Sequence, residues 1–72
     1  MISESFSSTK QSLQAAFEDI SEQIKEYCRK NNCVEVSSSA PAIMSTPIND
    51  TLIYYSAART IFFEKTEKAA NN

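Results

Sequence analysis

Leu13, Phe17, Ile20, Ile24 and Tyr27 follow one another at spacings of four, three, four and three residues. At about 3.6 residues per turn, that rhythm lays all five on one face of an α-helix with a buried side. Glu22–Lys25, Glu26–Arg29 and Glu26–Lys30 supply opposite-charge pairs on the wet side. Ser8 with Gln11 three residues on fits a capping box, each side chain satisfying a backbone N–H of the other. Asn31-Asn32 suits a C-terminus, where Asn tolerates the left-handed conformation, and Arg29 and Lys30 complement the negative end of the helix dipole. The spacing predicts a helix over residues 8–30. Residues 1–7, rich in Ser, read as a loose lead-in, and residues 71–72 read as disordered.

The second half is harder to read. Thr46-Pro47 resembles a helix start, Asp50 suits a first turn, and Ala57-Ala58 and Glu64 to Ala70 favour helix. Leu52-Ile53-Tyr54-Tyr55 and Thr60-Ile61-Phe62-Phe63 are β-formers, but the Ser-Ala-Ala-Arg between them lacks turn residues. A helix over residues 47–70 is therefore expected, apolar on most of its circumference when residues 48–66 are wound at about 3.6 residues per turn. Between the helices, Cys33-Val34-Glu35-Val36 and Ala42-Ile43-Met44 fit two short strands joined by a Ser-Pro turn, or an ordered loop. The fold class expected is mainly α: two antiparallel helices with that hairpin or loop between them (αββα). The alternative is α+β, one long helix packed on a small antiparallel sheet built from residues 33–65.

A chain of 72 residues forms one domain, 1–72. At that size folding buries only roughly 60–65% of the unfolded surface, so outside support is usual. There is no His and there are two Cys, Cys28 and Cys33, so a four-ligand zinc site cannot be assembled. Their spacing is not that of a redox couple, and the pair reads as two small residues at a helix end. Met1-Ile2-Ser3-Glu4-Ser5 has neither a basic region nor a following apolar stretch, so no secretion signal is expected. That points to the cytoplasm, with both thiols reduced, and makes the glycosylation pattern of Asn49-Asp50-Thr51 a coincidence. Ser37 to Ser39 read as a flexible polar turn.

Several functions are argued against. Gly is absent, which rules out a P-loop or a dinucleotide-binding turn, and no cofactor or metal is expected. The net charge is −2 with signs interspersed, so nucleic acid is not expected as a partner. No apolar run approaches the ~20 residues of a membrane helix. Glu18, Asp19, Glu22 and Glu26 read as a solvated acidic face, and Ser has no His to activate it, so no enzyme is expected. Aromatics and Arg dominate protein-binding hot spots: Tyr54, Tyr55, Phe62 and Phe63 around Arg59 have that composition, and Leu52, Tyr55, Arg59, Phe62 and Phe63 are the candidate partner-binding residues. The expected function is a small protein–protein interaction module (adaptor, inhibitor or assembly chaperone), expected to form a homodimer. A structural subunit of a larger assembly is the alternative, and a nucleic-acid-binding module the third.

Overall fold

Residues Leu52–Lys65, expected to be helical, form one continuous β-strand. The computed structural model describes residues 1–66, in the order β1 (Ile2–Lys10), α1 (Leu13–Asn31), β2 (Cys33–Ser38), β3 (Ala42–Asn49) and β4 (Leu52–Lys65). One helix lies on a four-stranded antiparallel sheet, which corrects the mainly α, two-helix expectation. The α+β alternative comes nearer, yet its sheet, drawn from residues 33–65 alone, lacks β1. The expected helix end at Lys68 and Ala69-Ala70, and the disorder expected at 71–72, lie outside the described residues.

β4 is the centre of the sheet. β1 pairs along one side of it, from Ile2 opposite Phe63 to Lys10 opposite Tyr55. On the other side β2 pairs with the C-terminal part of β4 and β3 with the N-terminal part, end to end. β2 and β3 therefore do not form a hairpin with each other, as the Ser-Pro turn suggested. The hairpin is β3–β4, turning at Asp50-Thr51, where Asn49 Oδ1 accepts from the Thr51 N–H at 2.9 Å and from the Thr51 hydroxyl at 3.1 Å. This Asx turn closes the loop without glycine. Pro47 is tolerated because β3 is an edge strand, and a bulge follows it between Pro47 and Asn49.

Why β4 is a strand follows from its position. β4 is hydrogen-bonded along both edges, and it carries apolar residues at odd and even positions alike, on the face that α1 covers and on the face that it does not. Wound as a helix, such a sequence looks apolar all round, which is the feature misread as a second helix. Ile53, Tyr55, Ala57, Arg59, Ile61 and Phe63 point one way, and Leu52, Tyr54, Ser56, Ala58, Thr60 and Phe62 the other.

The helix begins later than expected. Ser12, not Ser8, is the N-cap, and its side chain accepts from the Ala15 N–H at 3.1 Å. Ser8 belongs to β1, so residues 1–7 are no loose lead-in. The end was legible: Asn32 is the C-cap at φ 52°, its N–H bonded to the Cys28 carbonyl. The Asn32 carbonyl in turn accepts from the Thr66 N–H and hydroxyl, both at 2.9 Å. Ion pairs join Glu22 to Lys25 at 3.8 Å and Glu26 to Arg29.

The core lies between α1 and one sheet face. Ala16, Ile20 and Ile24 meet Phe6, Cys33, Ala57, Ile61 and Phe63, with Leu13, Phe17 and Tyr27 packed at the margin. Ala16 and Ala57 are both fully buried, and two residues without bulk in one layer let helix and sheet approach closely. Phe6, Tyr27 and Phe63 form an aromatic cluster at one end, with Phe6 edge-on to both partners.

Candidate protein-binding surface

Helix and sheet differ in length, and the difference creates the surface. At ~1.5 Å per residue α1 spans roughly 28 Å. The 14 residues of β4 reach roughly 45 Å at the rise of a strand. α1 packs on β1, β4 and β2 but nowhere on β3. The β3–β4 hairpin thus projects as an arm, and the folded shape is 58 × 17 × 12 Å. Every residue of β3 is exposed, including Ile43 at 52%, Met44 at 65% and Ile48 at 56%.

The sheet face turned away from α1 is uncovered along its whole length among the described residues. Paired residues of neighbouring strands point to the same side, so the register assigns its side chains. β4 contributes Leu52, Tyr54, Ser56, Ala58, Thr60 and Phe62. β1 contributes Ser3, Ser5, Ser7 and Thr9, and two hydroxyl pairs, Ser5 with Thr60 at 3.1 Å and Thr9 with Ser56 at 2.9 Å, lie on this face. β2 and β3 contribute Val34, Ser37, Ala42, Met44 and Thr46. Glu64, at one end, is the only charged residue among these paired positions. The outer face of α1 is the reverse, carrying Glu18, Glu22, Lys25, Glu26, Arg29 and Lys30.

The residues singled out in the sequence divide across the sheet. Leu52 and Phe62 lie half-buried on the uncovered face. Tyr55 and Arg59 are half-buried on the helix side. Phe63 is fully buried in the core beneath α1. Arg59 donates from Nη2 to the Ser38 hydroxyl at 2.6 Å, while its buried Nε has no hydrogen-bond partner among the described residues. Tyr54, Met44 and Val34 complete the uncovered face; Met44 and Val34 were missed, because which side a residue faces is set by register, which a single strand read alone does not disclose.

The acidic residues of α1 are mostly tied down. Asp19 accepts from the Ser8 hydroxyl at 2.6 Å and from Gln23 at 3.3 Å, and the Ser8 bond holds its carboxyl below the ordinary carboxylate range. Gln23 also donates to the Ser7 carbonyl at 2.9 Å. Glu26 is held low by Arg29. Cys28 and Cys33 are unbonded thiols, and burial pushes the Cys28 thiol up. Among the described residues no three acidic or sulfur side chains gather as a metal site would require, and no helix is long and apolar enough to cross a membrane. Comparison of the chain with protein families, curated proteins and solved structures gives no match.

Proposed function

We propose that this chain acts by binding and not by catalysis, as a small protein–protein interaction module (adaptor, inhibitor or assembly chaperone). Its contact surface is the uncovered sheet face with the β3–β4 arm. The observation that carries this reading is the near absence of charge from that face, while the outer face of α1 is thick with it. Depletion of charge with enrichment of aromatics and Met marks the centres of protein interfaces. Leaving Leu52, Tyr54, Phe62, Val34 and Met44 wet is also a liability that monomeric proteins limit. Nucleic acid is disfavoured, since that face offers no Lys or Arg to neutralise phosphates. The unbonded thiols support a reducing compartment, the cytoplasm.

The elongated shape favours one further reading, a structural subunit whose projecting arm is held by neighbours in a larger assembly. Both readings share one test. A tagged chain is compared with its Val34→Lys/Met44→Lys variant and with Lys25→Glu on the outer helix as control. A stoichiometric protein kept by the parent and the control but lost by the double variant supports the proposal. Equal retention by all three, or a monomeric chain that captures nothing, overturns it.

A further inference from the structure

We propose that the uncovered sheet face is the interface of a homodimer, two copies stacking face to face about a two-fold axis that runs along their β4 strands. This inference rests on the reading of that face as a binding surface and names its partner: a second copy of this chain. Two observations single out a second copy. The first is shape. Over the stretch of β4 that β1 pairs with, the flank formed by β2 and β3 carries one large side chain, Met44, beside small Ser37 and Ala42, whereas the β1 flank carries only Ser3, Ser5, Ser7 and Thr9. Met44 therefore stands as a knob on one flank, and the other flank is a shallow row of hydroxyl side chains. A two-fold axis along β4 turns one sheet over and exchanges its flanks, so each Met44 drops onto the other copy's β1 row. An axis across the strands would keep the β2–β3 flank over its own counterpart and deny Met44 that row.

The second observation is area. Three strand rows about 4.8 Å apart along a ~45 Å strand present a projected area of roughly 600 Å² per copy. Two copies together then reach about 1,200 Å², within the range of specific, stable interfaces. On the axis, Tyr54 meets Tyr54 and Phe62 meets Phe62, with small Ser56, Ala58 and Thr60 between them allowing close approach. Glu64 meets its mate at the rim, where it is exposed to water. Such an isologous contact uses one patch twice.

The register makes the arrangement specific. Thr9, Ser56 and Met44 lie in one row across the sheet, so Met44 of each copy sits over Thr9 of the other. Both are exposed in the single chain, and replacing them disturbs no core residue. Sedimentation equilibrium from micromolar to near-millimolar concentration is expected to show a dimer for the parent and monomers for Met44→Lys and for Thr9→Glu, with unchanged circular dichroism. Mixing the two variants should restore a dimer, because the introduced cation then faces the introduced carboxylate while the second contact keeps its native residues. A dimer undisturbed by either substitution, or monomeric variants that stay monomeric when mixed, overturns the arrangement. A monomeric parent that still captures another protein through Met44 and Val34 overturns the second copy and leaves the binding reading standing. A monomeric parent that captures nothing overturns both.

Discussion

Tyr27 of α1 and Phe63 of β4 lie with ring centroids 4.7 Å apart and planes inclined by 34°. Phe6 of β1 closes the cluster, so three elements distant in sequence meet in one aromatic contact. Phe63 is fully buried, and its truncation to Ala is expected to cost about 3–5 kcal/mol, a large part of what so small a domain holds. Ile20→Ala, at the fully buried bulky position of the helix, should cost about 2–5 kcal/mol. Phe17, only partly buried, should matter less. Urea melts rank the three; equal losses at Phe17 and Phe63 would contradict the placement of the core.

Asp19 makes acid stability specific to one bond. Its carboxyl is lowered by the Ser8 hydroxyl, opposed by partial desolvation and aided by Lys10 and Gln23. A carboxylate lowered in the folded state adds stability that is complete above its ordinary value of 3.8 and fades as the pH falls below it. The gap in melting temperature between the parent and Asp19→Asn should be constant near neutrality and shrink below that value. A gap that widens in acid would exclude this assignment.

The cysteines are expected to be free and slow to react. Burial, followed by the adjacent Cys33, raises the Cys28 thiol, which leaves little thiolate at neutral pH. Melts with and without reductant should superimpose. Alkylation of the folded protein should lag well behind that of the urea-unfolded chain, and equal rates would show that the thiols are not shielded.

Asn32 holds the left-handed cap between α1 and β2 at φ 52° and ψ 57°. Any side chain with a Cβ and no local hydrogen bond loses about 1–2 kcal/mol in that conformation. Asn32→Ala should therefore melt lower, whereas Asn32→Gly should match the parent within a few tenths of a kcal/mol. If Ala and Gly behave alike, the cap geometry is not what secures this junction.

Local signals survived where local physics decided the outcome. The Leu13-to-Tyr27 stripe and the Asn32 cap are short-range features, and both were visible in the sequence. β1 was not, because only Ile2 and Phe6 are large and apolar in a run of Ser, Thr, Glu and Lys, and its pairing partner lies some fifty residues away. β4 differs from the helix expected there because it carries large apolar side chains on both faces, although α1 covers only one, and this removes the alternation by which strands are identified. Leu52 and Phe62 were chosen from composition, which does not separate them from Phe63 on the opposite side of the same strand.

Every strand pairing in the sheet has β4 as one of its members. During synthesis β1, β2 and β3 leave the ribosome with nothing to pair with, and Ile2 must wait for Phe63. No hairpin can form early as a scaffold, since the single hairpin is also the one that β4 completes. Apart from the β3–β4 hairpin, the sheet must then assemble from long-range contacts, which makes folding slow for the chain's size and leaves nascent chains lacking residues 52–65 with a helix whose apolar side is uncovered.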